Sequence, residues 1–265
     1  MFARCYWRIS VVFATLSIVP CHADVFISVT NGLVRRPLLE SGDLQPVFQT
    51  YYFEAGDVIG KHHLDIFDYE EFRITLEDGT VFTLRDFNQP KWDQSQRLST
   101  TQTLVFTPKN PKVPGIPREI VVYHEARPGE RWLRKRLVIE MPGPIEVARL
   151  DMERFKPLSF WSGAGDNAPI FGEDMGFDVK AFICLDDTPY TTELKDPETS
   201  AEDRRPILSV YYSPGLPRLD PITNKWMIQS KSSIVGLTSG DADIQSLYKQ
   251  FEKSKQPAPA AAKAR

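Results

Sequence analysis

The strongest constraint on this chain is a repeated alternation of apolar and polar residues with a period of two. β-Branched and aromatic side chains carry it, and turn residues break it at short intervals. Successive side chains of an extended strand point to opposite faces, so such runs specify strands buried on one side. The first covers residues 25–30 and is followed by the turn pair Asn31-Gly32 and then Leu33-Val34. Residues 72–76 and 81–84 flank Glu77-Asp78-Gly79-Thr80, which predicts a hairpin because Asp-Gly readily takes the positive φ of a tight turn. Further strands are predicted at 102–107, 119–125, 132–140, 145–153, 177–185, 207–212 and 233–237. One helix is predicted over 241–253, where Ile244, Leu247, Tyr248 and Phe251 fall at spacings of three and four. About ten strands and one short helix specify a single all-β, antiparallel sandwich. Proline (21) outnumbers glycine (15) and is spread through the chain, which disfavours a bundle of long helices.

Both ends stand apart from that pattern. Arg4 and Arg8 precede an apolar stretch over 9–20 that is too short to span a bilayer, and Cys21-His22-Ala23 ends it with small residues at the cleavage positions. Residues 1–23 are therefore expected to be a secretory signal, the protein secreted or periplasmic, and no transmembrane segment left after cleavage. Residues 24–252 are expected to form the domain, and 253–265, rich in Ala, Pro and Lys, a disordered tail. Losing two arginines and no acid takes the formal charge from −3 to −5, so no cationic field attracts nucleic acid. The mature chain keeps only Cys184, which cannot form an internal disulfide and sits in the apolar run Ala181-Phe182-Ile183-Cys184-Leu185. It reads as a packing thiol.

Chemistry-bearing residues are few. No dinucleotide fingerprint, Gly-Lys-Ser/Thr loop, Gly-x-Ser-x-Gly elbow or histidine-pair zinc motif occurs, so no cofactor and no metal are expected. His62 and His63, followed by Asp65, Asp68, Glu70 and Glu71, collect donor types but read as a solvated loop, since neighbours on a strand face opposite ways. Asp186-Asp187 reads as an exposed turn. In Trp132-Leu133-Arg134-Lys135-Arg136, alternation sends Trp132, Arg134 and Arg136 to one face and Leu133 and Lys135 to the other. The segment 160–177 differs from its surroundings: glycines punctuate it, and carboxylates, an amide and aromatics interleave. Aromatic rings stack on the C–H face of a pyranose while Asp, Asn and Glu take its hydroxyls, which makes Trp161, Asp166, Asn167, Glu173 and Asp174 the candidate ligand-binding residues. Trp92 and Trp132 are weaker stacking candidates.

Val29-Thr30-Asn31-Gly32-Leu33-Val34-Arg35-Arg36, then Trp132-Leu133-Arg134-Lys135-Arg136 through Ile145-Glu146-Val147 to Leu150-Asp151-Met152-Glu153, then Ala168-Pro169-Ile170-Phe171-Gly172-Glu173-Asp174-Met175-Gly176-Phe177, run in order along most of residues 25–252. Together they resemble the β-supersandwich found ahead of the catalytic barrel in several glycoside hydrolases, a fold similar to galactose mutarotase. The resemblance implies a carbohydrate-related protein. It carries over no catalytic residue: mutarotases use two histidines and a late glutamate, whereas here no histidine follows His124 and Glu252 is the only glutamate after Glu202.

The expectation is a secreted β-supersandwich that binds oligo- or polysaccharide or supports a separate carbohydrate-active enzyme, without a catalytic barrel of its own. Two alternatives stand beside it. One is an epimerase-like or lyase-like enzyme using His124 with a carboxylate such as Glu125 or Asp174; the other is a cell-envelope scaffold for a protein partner.

Overall fold

The computed structural model describes residues 26–40, 48–50, 52–55, 62–92, 98–157, 160–174, 178–195 and 206–255. The expected signal, the tail beyond residue 255, and Met175 to Phe177 of the glycine-punctuated segment lie outside the described residues. Two sheets face one another across a continuous hydrophobic core. The twelve-stranded sheet runs in the order Gly165–Asp166, Thr191–Lys195, Ile207–Tyr212, Val147–Pro157, His63–Glu70, Tyr52–Ala55, Val34–Glu40, Phe26–Thr30, Leu98–Ser99, with short strands attached beside it. The nine-stranded sheet runs Phe160–Ser162, Ile170–Asp174, Val179–Leu185, Ser233–Ser239, Trp132–Met141, Glu119–Glu125, Thr101–Phe106, and the hairpin of Arg218–Asp220 with Lys225–Gln229 pairs onto Trp132–Met141. Pairing is antiparallel except between Phe26–Thr30 and Leu98–Ser99.

The alternation read from the sequence becomes burial. Ile120 and Val122 on one strand and Leu133, Leu137 and Ile139 on the next point inward, fully or almost fully buried, against Phe53, Phe72 and Phe155. Each such side chain contributes about 1.5–3 kcal/mol through water exclusion. The ring of Phe72 meets those of Phe87 and Phe106 edge-on at 5.5 and 5.4 Å. The predicted hairpin forms between Arg73–Leu76 and Val81–Thr83, with Gly79 at φ +84.

Several boundaries moved. The described residues form twenty-one strands where ten or so were expected, because short pieces such as Gly165–Asp166 and Leu98–Ser99 add to the longer runs. His62 and His63 were expected in a solvated loop, but His63 opens the strand His63–Glu70, whose Leu64, Ile66 and Tyr69 are buried. The acidic residues between those apolar positions mask the alternation. The helix spans Ile244–Ser254, and its cap is Asp243, whose carboxylate accepts the backbone N–H groups of Gln245 and Ser246 at 3.1 Å each.

That helix lies on the outer surface of the nine-stranded sheet. Phe251 meets Trp132 edge-on at 5.6 Å, and Tyr248 meets Phe182 and Phe171 at 5.2 and 5.9 Å. Beneath it the ring of Phe182 crosses Gly236, where a Cβ would come within 2.0 Å of a ring carbon, so only glycine permits this packing. Cys184 is buried in the same strand as Phe182, and burial raises its thiol far above the usual range. The helix covers part of the outer surface.

Candidate functional site

Beside the end of the helix lies a cleft of about 640 Å³. Its floor is the outward row of three neighbouring strands, with Tyr123 opposite both Thr103 and Arg136, and Glu125 opposite both Thr101 and Arg134. The end of the helix, through Phe251, Ser254 and Lys255, forms one wall, and Asp186 with Ser232 another. Asp186 and Ser232 hold each other by paired bonds: Asp186 N–H donates to the Ser232 carbonyl at 2.9 Å, and Ser232 N–H to Asp186 Oδ1 at 2.8 Å.

A distant residue fixes the rim. Asn31 accepts the N–H groups of Leu33 and Val34 on its Oδ1 at 2.9 and 3.1 Å, which closes the turn after the first strand. Its Nδ2 donates to the carbonyls of Arg127 and Glu130 at 2.5 and 2.8 Å. The Asn31-Gly32 pair therefore does more than turn the chain: it pins the loop that brings Arg127 and Glu130 to the cleft.

Around the cleft the cations differ in how they are held. Arg134 is clamped by both oxygens of Glu130, Arg127 Nε pairs with Glu125 at 3.0 Å, and Lys255 pairs with Glu252 at 2.6 Å. Arg136 is exposed and rests on the ring of Tyr123, 4.9 Å from its centroid.

Directly behind this floor, between the sheets, lies a second assembly of charge. Arg36, Tyr69, Glu71, His124, Lys135, Glu153 and Ser233 are all buried, four of them formally charged in balance. Arg36 contacts Glu71 and Glu153 at 3.4 Å each and bonds Tyr69. Lys135 Nζ donates to Tyr69 Oη at 2.7 Å and to the Glu71 carbonyl at 2.8 Å, and stands 3.2 Å from Glu153. Tyr69 and Ser233 both donate to Glu153. Burial would raise both carboxylates, yet Arg36 and Lys135 outweigh it and hold Glu71 and Glu153 below the ordinary range. Lys135 is lowered by burial, and Tyr69 raised by it.

His124 belongs to this interior group. Its Nε2 lies 2.7 Å from Glu71 Oε1, and its Nδ1 has no hydrogen-bond partner among the described residues. Burial, aided by Arg36, pulls its pKa down to about 4 against the attraction of Glu71, so the ring is neutral at physiological pH. Glu125, its neighbour, faces the cleft instead.

The candidates from the glycine-punctuated segment fall elsewhere. Trp161 packs edge-on against Phe155 at 5.8 Å with its ring across Gly172, where a Cβ would come within 2.5 Å of it. Asn167, at φ +54, accepts the Tyr190 N–H on its side chain at 3.0 Å, and its own N–H donates to the Tyr190 carbonyl at 2.8 Å. Asp166 is exposed and accepts the Thr191 hydroxyl at 2.7 Å. Glu173 is exposed, 4.0 Å from Lys180, and Asp174 ends the same strand. None of the five lines the cleft. Trp132 lies beneath the helix at 7% exposure, and Trp92 packs half-buried against the core. Among the described residues, no three His, Cys, Asp or Glu side chains converge as a metal site, and no helix is long and apolar enough to cross a membrane.

The sheets, their order and the terminal helix define the class of fold: a large two-sheet antiparallel β-sandwich with one short C-terminal helix. Among solved structures, the chain is similar to the GH36 α-galactosidase AgaA A355E D478A from Geobacillus stearothermophilus in complex with stachyose, with TM-score 0.52 and 8% identity over 86% of this chain. It is also similar to the α-N-acetylgalactosaminidase NagBb from Bifidobacterium bifidum in its GalNAc complex, with TM-score 0.50 and 12% identity over 86% of this chain. The matched regions are 43% and 38% of those two enzymes, so the chain spans about two fifths of their length. A GalM/aldose epimerase homologue from C. elegans matches with TM-score 0.47 and 10% identity over 83% of this chain and 100% of that one. At these identities the likeness is one of fold. No family model matches the chain, and no curated protein matches it in sequence.

Proposed function

We propose that this protein is a secreted or periplasmic carbohydrate-binding β-supersandwich that works beside a separate carbohydrate-active enzyme and catalyses no reaction itself. The observation that carries this reading is the open cleft, whose floor joins an aromatic ring to hydroxyl, carboxylate and guanidinium groups at its surface. Few polar groups converging beside an aromatic is the plan of small-ligand sites. The two sugar complexes among structures of the same fold are consistent with it. An acid–base reaction finds less support, because His124 is turned away from solvent, neutral, and against Glu71 rather than Glu125 or Asp174. Trp161, Asp166, Asn167, Glu173 and Asp174 of the glycine-punctuated segment stand as a second proposed set for sugar, Asp166 and Glu173 being exposed.

Titration of the purified protein against a glycan panel tests this. Tyr123→Ala is expected to weaken glycan binding about tenfold, and Trp161→Ala reports separately on the second set. Failure of every glycan to bind, or binding untouched by both substitutions, overturns the reading.

A scaffold role has one observation in its favour. The hairpin of Arg218–Asp220 with Lys225–Gln229 and the segment leading into it expose Leu216, Leu219 and Ile222 at 61%, 46% and 92%. Under that reading no glycan binds, and cross-linking captures a protein partner that the Leu219→Ser, Ile222→Ser variant loses.

A further inference from the structure

Building on the sugar-binding reading above, we propose that the cleft selects anionic saccharides, with Arg136 meeting the ligand's carboxylate or sulfate. The whole chain is acidic, with Lys+Arg 32 against Asp+Glu 35. Around the cleft the balance is level instead: Arg127, Arg134, Arg136 and Lys255 line it, facing Glu125 and Asp186 of the lining and the adjacent Glu130 and Glu252.

The partners of these groups decide what the cleft has left to offer. Glu125 is engaged by Arg127, and Asp186 Oδ1 takes the Ser232 N–H. Arg134 is held from both sides by Glu130, which leaves it as a fixed part of the floor. Lys255 has Glu252. Arg136 alone among these four cations is paired with no carboxylate among the described residues; its partner is a neutral ring. A guanidinium without a carboxylate calls for an anionic acceptor, and it binds a planar carboxylate or a sulfate through two parallel N–H bonds.

Tyr123 sharpens the inference. A neutral pyranose is usually held by stacking on a bare aromatic face, but the face of Tyr123 toward Arg136 already carries the guanidinium. Contact with the ring restricts the Arg136 side chain, so less freedom is lost when an anion docks on it. The Thr101 and Thr103 hydroxyls lie in the same floor and are placed for the ring hydroxyls of the same sugar.

The experiment titrates the purified protein with tetragalacturonate, with a carrageenan tetrasaccharide as the sulfated form, and with neutral galactotetraose. One or both anionic ligands are expected to bind at least about tenfold more tightly than galactotetraose, with the advantage shrinking severalfold at about 0.5 M salt as charges are screened. Arg136→Gln should remove most of that advantage while leaving the thermal melt unchanged, and Arg136→Lys should restore only part of it. The carboxylated and sulfated arms identify which anion is preferred. Equal binding of neutral and anionic sugars overturns the selectivity and leaves the sugar-binding reading intact. Anion preference that survives Arg136→Gln and Lys255→Gln alike overturns the assignment to this cleft. Binding of none of the sugars overturns both readings.

Discussion

Two groups of charge lie on opposite sides of the same three strands. Along Trp132–Met141, Lys135 points into the sandwich and is completely buried, while Arg134 and Arg136 on either side of it line the outer cleft. On the neighbouring strand His124 is interior, and Tyr123 and Glu125 are exterior. Residues of similar type, adjacent in sequence, thus have different tasks according to strand parity alone. Inside, the charges of Arg36, Lys135, Glu71 and Glu153 balance and join the two sheets. Outside, Arg136 has a ring rather than a carboxylate beside it among the described residues.

The largest expected effect falls on the interior. Lys135→Met leaves Glu153 and Glu71 with one buried cation fewer, and urea denaturation should show a loss of about 3–5 kcal/mol. A loss below about 1 kcal/mol would mean that the interior group is no more than a surface pair in its effect.

The second prediction uses pH. The folded-state pKa of His124 lies at about 4, below its ordinary 6.5, so the unfolded chain binds the extra proton first as pH falls. Stability from this residue is complete above pH ~6.5 and lost progressively toward pH ~4, with about 2 kcal/mol gone by pH ~5. Below about pH 4.5, protonation of the unfolded carboxylates adds a further loss, because Glu71 and Glu153 are also held low in the fold. Denaturation midpoints for His124→Leu should be flat between pH ~7 and ~5; a variant that keeps the wild-type slope would assign that slope to another group.

Smaller still is the cap of the helix that walls the cleft. Asp243→Ala should cost about 1 kcal/mol, seen as a lowered thermal midpoint. Last, Arg136→Met should change stability by less than about 0.5 kcal/mol, the exterior counterpart of Lys135→Met one position away. If the two substitutions destabilised equally, the division by parity would fail.

Much of this organisation is local and was legible. The alternation in 119–125 and 132–140 sorted Arg134 and Arg136 from Lys135, Asp-Gly marked its hairpin, and the spacing of Ile244, Leu247, Tyr248 and Phe251 marked the helix. The interior group was not legible because its partners come from distant places: Arg36 meets Glu153 across 117 positions, and Lys135 meets Tyr69 across 66. Glu71 looked solvated because it follows a string of acids, and only its cationic partners make burial tolerable. The cleft was missed for a related reason: its lining comes from three strands, a loop and a helix end, while the glycine-punctuated segment stood out by composition alone. Asn167 illustrates the difference, since an amide read as a hydroxyl ligand is occupied with the backbone of Tyr190.

The burial of Cys184 has a practical consequence. Its thiol shares a strand with Phe182, on which Tyr248 and Phe251 of the helix rest, and it is the free cysteine among the described residues. An alkylating reagent can reach it only when that covering lifts. The rate of labelling is therefore a built-in clock for opening of the cleft wall, readable on the native sequence by mass spectrometry with no introduced probe.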